Sequence, residues 1–298
     1  MSAAGPTLLT VDVECWFHAH NLGIDQASWG GRDPRIEEPV DRLLRLFARR
    51  GVHATFFVLG WVAARHGDVV RRIAADGHEI ASHGYLHRRL DALTPVEFRE
   101  DVERTSEALE RCIGRRPIGY RAPSFTVLRS TMWALDELLR CGMRYDSSIF
   151  PIQRGRYGIG DYPERRPHLI RRPGGAIAEF PLTAVDVLGR RVPVGGGGYL
   201  RLYPLWLTRR ALARSPVPPV VYVHPWELDA DQPRVAPSAR AGFMHRVGLR
   251  RTEARLDALI AELRPTTIES QLSAIIAGDA MPEDIDRAPA SSLSFSMR

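Results

Sequence analysis

Two histidines four residues apart, His83 and His87, sit in EIASHGYLHRRL, directly after a short apolar run. Imidazole is a good ligand for a divalent metal. A His-x-x-x-His pair joined by one carboxylate from another segment makes a three-ligand centre with open positions for water. Carboxylates are at hand: Asp12 and Glu14 lie near the end of TLLTVDVE, two residues apart and so on one side of an extended chain. Arg121, Asp146 and His224 also end short apolar runs. Strands rarely bury charge, so each of these is unusual by its place. The spacing of His83 and His87 also fits one face of an exposed helical turn. Their position after a strand, with carboxylates opposite, favours metal. Zinc is the expected ion, and cobalt, nickel, manganese or iron would accept the same donors.

These residues need elements that bring them together. Strand-like runs at 7–14, 53–59, 78–82, 118–121, 143–146 and 218–224 alternate with helical patterns at 39–50, 61–75, 94–112 and 130–140. Thr94-Pro95 opens one helix as N-cap and first helical residue, and glycines 51, 77 and 114 follow helix ends. This alternation predicts an α/β fold of parallel βα units, doubly wound or closed into a barrel. In such folds the C-terminal strand ends share the face on which chemistry sits. Residues 147–217, rich in Gly, Pro and Arg, break the rhythm and read as a loop insertion over one face of a single domain. Its four-glycine run, Gly195 to Gly198, offers a backbone nest for phosphate, near Arg201, or a mobile loop. Residues 243–263 read as one long amphipathic helix. The domain is expected to span 1–279, with a disordered tail at 280–298.

The remaining composition mostly excludes. The 298 residues are 44% hydrophobic and 26% charged, an ordinary globular balance. No run of about 18 apolar residues occurs, and the first residues have no signal-peptide pattern. Cys15, Cys112 and Cys141 fit neither a zinc ribbon nor a disulfide framework, so a cytoplasmic location is expected. All 41 basic residues are arginine, which removes Schiff-base and Walker lysines. A net charge of +6 invites an anionic partner, including an acidic membrane face. The arginines are scattered, often as Arg-Arg pairs, with no nucleic-acid motif, so they read as a solvated basic surface and no nucleic-acid partner is expected. His18 and His20 come too late to project from the first strand end, and read as loop or rim.

In order, TVDVE, SHGYLH, RAPSF, YDSS and VYVHPWE resemble the five motifs of the polysaccharide deacetylases, the carbohydrate esterase family four superfamily, over about residues 7–227. RYGIGDYP, VPVGGGGYLRLYP, HPWELD and HRVGLRRTEARLD resemble a cytoplasmic, exopolysaccharide-associated branch. The resemblance implies a distorted (β/α) barrel, usually of seven strands, and metal-dependent removal of an N-acetyl group from an amino sugar. It implies Asp12 as general base, His83 and His87 as metal ligands, Arg121 as holder of the base, His224 as general acid and Asp146 as its acidic partner. The family's first motif has two adjacent aspartates and a glycine; here Val13 takes the second place and Glu14 the third, so Glu14 is assigned to the metal. Phe125, Trp226 and Tyr199 are expected to meet the substrate, with a backbone N–H near Phe125 meeting the oxyanion. Rival readings are a cyclic imide or allantoin-type hydrolase, an iron(II) oxygenase and an inactive sugar-binding module.

Overall fold

The computed structural model describes residues 5–277 apart from 153, 156 and 236. The tail expected at 280–298 lies outside the described residues. Strands β1 (Leu8–Val13), β2 (Thr55–Val58), β3 (Glu79–Ser82), β4 (Gly119–Tyr120) and β5 (Tyr145–Asp146) alternate with helices α1 (Glu37–Arg50), α2 (Gly60–Arg65), α3 (Gly67–Ala75), α4 (Pro95–Ile113) and α5 (Ala134–Arg140). There follow β6 (His168–Arg172), β7 (Gly175–Glu179), β8 (Ala184–Val187), β9 (Arg190–Pro193), α6 (Gly197–Leu202), α7 (Leu205–Ala213), β10 (Val220–Val223), α8 (Ala239–Arg246), α9 (Thr252–Leu263) and α10 (Glu269–Ala277).

One sheet runs β10-β1-β2-β3-β4-β5-β7-β6. Every pair from β10 to β7 is parallel, and β6 is antiparallel to β7. The fold is thus the expected α/β distorted barrel, realised as a curled half-barrel of seven parallel strands plus one antiparallel edge. All six residues of β1 are buried, as a parallel strand covered on both faces requires. Its alternation sorts them. Leu9, Val11 and Val13 pack with Val40, Leu43 and Phe47 of α1. Leu8 packs on the inner side with Phe57, Tyr145 and Tyr222. Thr10 and Asp12 share the parity of Leu8, so Asp12 projects inward near the strand's C-terminal end.

Four expectations need correction. Residues 147–217 are not a loop insertion: β6 and β7 form a hairpin that extends the main sheet, and β8 and β9 form a second. Arginines and half-exposed edge positions hid the strand alternation. Residues 243–263 are not one helix. The chain turns at Gly248 (φ +74°), where a Cβ would stand 2.7 Å from the Arg201 carbonyl oxygen. Residues 61–75 form α2 and α3, broken at His66. The four-glycine run is neither nest nor free loop. Tyr222 N–H donates to Gly195 O at 2.9 Å, and a Cβ on Gly196 would lie 2.1 Å from Tyr222 O. These glycines lie flush on β10 and cover its outer edge.

Candidate active site

The strand ends of β1, β3 and β10 deliver Asp12, Glu14, His83, His87 and His224 to one cavity of about 440 Å³. Asp12 is 1% exposed and accepts from Arg121 Nη1 at 2.8 Å. Arg121 is itself wholly buried; it donates to Thr10 Oγ1, Ser147 O and Ser147 Oγ, and its guanidinium lies 4.1 Å from the Phe57 ring centre. Four of its five N–H donors are thus engaged, and the pair is fixed in place.

Glu14, His83 and His87 each present one ligand atom, all within 4.8 Å of one another, and all three are buried. His83 Nδ1 donates to the Arg121 carbonyl at 2.8 Å, which selects the tautomer whose Nε2 lone pair is available to a metal. Burial lowers His83 to about 4, so its ring is neutral. His87 takes a left-handed backbone (φ +51°), and its Nε2 stands 2.8 Å from Glu14 Oε2. Trp226 Nε1 donates to Glu14 Oε1 at 2.9 Å, while buried Glu14 Oε2 lacks a hydrogen-bond donor. Burial pushes the Glu14 carboxyl up, but the His87 imidazole beside it, with those of His224 and His83, outweighs this, and the group lies well below the usual range. A neutral imidazole fixed by its far nitrogen, a second imidazole and a carboxylate oxygen without a donor fit a divalent cation.

His224 presents Nε2 at 3.8 Å from both Asp12 Oδ2 and Glu14 Oε1. Its Nδ1 and its backbone N–H both face Glu227 Oε2, at 3.1 and 2.9 Å. Burial lowers the His224 pKa, but the hydrogen bond and charge of Glu227, with Glu14 and Asp12, raise it to about 9. Glu227 takes Arg201 Nε at 2.6 Å on its other oxygen. Burial opposes its charge, but Arg201 and His224 bring it down to about 2. Arg201 also caps carbonyls of His245 and Val247.

Asp146 is not the partner of His224. It accepts from Ser148 Oγ at 2.5 Å and faces Glu179 across the β5–β7 ladder. Burial raises Asp146 to about 6 and Glu179 well above its usual range, so these neighbours hold a proton between them. Asp146 does not line the cavity. The true partner, Glu227, follows His224 by three residues with Pro225 between, a capping-box spacing readable in HPWE.

Phe125, Tyr199 and Trp226 all line the cavity, joined by Tyr157 and Tyr222. The Phe125 N–H itself donates to Ala122 O at 3.0 Å. Trp226 is sandwiched between the rings of His224 and His245, at 5.0 and 4.3 Å. Tyr199 and Tyr157 share a hydroxyl–hydroxyl bond of 2.9 Å. His20 stacks on His87 at 4.6 Å and bonds Ser124 Oγ, on the cavity rim. His18 is buried instead among Phe17, Trp29 and Trp61.

A sequence model of the polysaccharide deacetylase family matches residues 28–145, which include His83, His87, Arg121 and Phe125. A second, described as a domain of unknown function (DUF3473), matches residues 147–273, with Tyr199, Arg201, His224, Trp226 and Glu227. Asp12 and Glu14 precede both. The chain is 34% identical over 97 residues to a peptidoglycan-N-acetylglucosamine deacetylase of Bacillus cereus, covering 32% of this chain and 35% of that protein. It is 30% identical over 113 residues to a peptidoglycan deacetylase of Helicobacter pylori, covering 38% of each. The chain thus spans little more than a third of the length of these curated relatives. A polysaccharide deacetylase-type crystal structure from Mycobacterium smegmatis shares the fold, with a TM-score of 0.67 at 23% identity over 96% of both chains. Over residues 28–145 the chain is thus similar in sequence to the polysaccharide deacetylases, and the Mycobacterium structure shares its fold.

Proposed function

We propose that this protein removes an N-acetyl group from an amino-sugar unit of a glycan, releasing acetate and a free amine, with a divalent metal held by Glu14, His83 and His87. The observation that carries this reading is a held carboxylate and a cationic imidazole on the same cavity: Asp12 with Arg121, and His224 with Glu227. Amide hydrolysis needs a nucleophilic water, stabilisation of developing negative charge and a proton for the departing amine. A divalent ion, when bound, acidifies a water and polarises the acetyl carbonyl. Zinc suits the donor set, as do its first-row neighbours.

Asp12 accepts the proton of the attacking water through Oδ2, because Oδ1 is engaged by Arg121. His224 gives its Nε2 proton to the leaving nitrogen, while Nδ1 stays turned to Glu227. A histidine raised to about 9 is protonated at neutral pH, so the acid starts in the state that the reaction requires. Trp226 orients Glu14 through Nε1. Phe125, Tyr199 and Tyr222 give apolar faces on which a sugar ring or acetyl methyl can lie. The names of the Bacillus and Helicobacter relatives support an N-acetylglucosamine-type glycan as substrate. The exopolysaccharide-associated branch and a cytoplasmic location belong to the same proposal.

Acetate release from N-acetylglucosamine oligomers tests it, with zinc-loaded protein, after chelation and after zinc is restored. Release that chelator abolishes and zinc restores is the expected result. No release from oligomers of any length, or release undiminished in Asp12→Asn, overturns the reading.

A further inference from the structure

A second cavity, of about 640 Å³, lies on the far side of Arg201. Arg234, Arg246, Arg250, Arg251 and Arg255 wall it, Leu202 forms an apolar lip, and no acidic residue lines it. Arg234, Arg246 and Arg251 have no acidic partner among the described residues. Arg250 meets Asp231 at 3.6 Å, both more than 80% exposed, a pair that water screens strongly. Arg255 spends Nη1 on the carbonyls of Leu200 and Tyr203 and also lines the cleft. The acids of the surrounding segments are committed elsewhere: Glu227 to Arg201, Asp229 to Arg35 and Glu253 to Arg42. Guanidinium groups converging on a concave site without counter-charge repel one another, and a multivalent anion relieves that repulsion.

We propose that this cleft binds a phosphorylated ligand, with a diphosphate group against Arg246 and Arg251 and the remainder of the ligand along Leu202. Planar guanidinium groups grip phosphate oxygens two at a time, and the cleft has room for more than one phosphate. Arg246, Arg250, Arg251 and Arg255 fall within ten residues of sequence, and the fold brings Arg234 and Arg201 to the same cleft. Arg201 lines both cavities, so the ligand shares a wall with the Glu227–His224 pair.

Calorimetric titration with inorganic diphosphate tests the cleft on the full chain and on the Arg246→Gln/Arg251→Gln variant. Both residues lie outside the machinery of Asp12, His224 and the metal ligands. Far-UV circular dichroism and acetate release from an uncharged oligomer therefore serve as fold controls. Saturable binding that salt weakens and the variant lowers by about tenfold or more is the expected result. Tighter binding of farnesyl diphosphate than of uridine diphosphate assigns the ligand to a lipid carrier, and the reverse to a nucleotide. No saturable binding, equal binding by the variant, or glucuronate bound as tightly as diphosphate overturns the proposal. So does sedimentation with phosphatidylglycerol vesicles, lost in the variant, without affinity for diphosphate. Because binding is read directly, its outcome is separate from that of the deacetylase reading.

Discussion

At the scale of single residues, the roles of His224 and Glu227 are separable by experiment. His224→Ala should lower kcat by about 10²–10⁴ while metal content, read by mass spectrometry, stays unchanged. Unaltered turnover would remove His224 from the reaction. Glu227→Gln should act through His224. Without that carboxylate the imidazole returns towards its ordinary 6.5, so the alkaline limb of the kcat/KM profile should move to lower pH from near 9. A limb that does not move would show that another group titrates there. Asp12, Glu14, His83, Arg121 and His224 were all legible in the sequence, because a charged or imidazole side chain at the end of an apolar run is out of place. Glu227 was not read as the partner, although HPWE carries the spacing. Asp146 ends β5, separated from β10 by four strands in the sheet, and shares its environment with Glu179 instead.

At the scale of elements, two predictions concern how segments are held. The α4 N-terminus is a capping box: Thr94 N–H donates to Glu97 Oε2 at 2.8 Å, and Glu97 N–H to Thr94 Oγ1 at 3.3 Å. Thr94→Ala should cost about 0.5–2 kcal/mol in urea unfolding and leave activity intact. Gly196→Ala should be worse, because its Cβ would sit 2.1 Å from backbone and would push the strand edge off Tyr222, a wall of the active-site cavity. A loss of about 1–3 kcal/mol, with kcat/KM reduced as well, is expected. A variant of native stability and activity would mean that the run is free to move. Helices with clean caps were legible. The edge hairpins β6–β7 and β8–β9 were not, since half-exposed, arginine-bearing strands lack the alternation that marks a buried one.

At the scale of the whole molecule, the buried ion pairs set a pH window. Glu227 sits at about 2 when folded, against about 4.5 in an unfolded carboxylate. Its contribution is present above the unfolded value and is lost as pH falls towards 2. His224 sits at about 9 when folded, against 6.5. Its contribution is complete below 6.5 and is lost as pH rises through about 9. Thermal unfolding of the metal-free protein should therefore be highest between these limits, and His224→Gln should flatten the alkaline side. An unchanged alkaline slope in that variant would place the stabilising titration elsewhere.

The sequence alone determined which residue types could do chemistry and that parallel βα units would carry them to one rim, because burial and period-two alternation are local properties of the chain. Only the tertiary structure decided who pairs with whom. Glu227 and Arg201 stand 26 residues apart in the chain, and Trp226 and Glu14 stand 212 apart. Arg201 and Arg234 likewise meet the arginines of 246–255 only in the fold, where the turn at Gly248 packs against the Arg201 carbonyl. Partners of this kind follow from the closure of the half-barrel, and no spacing along the chain encodes that closure.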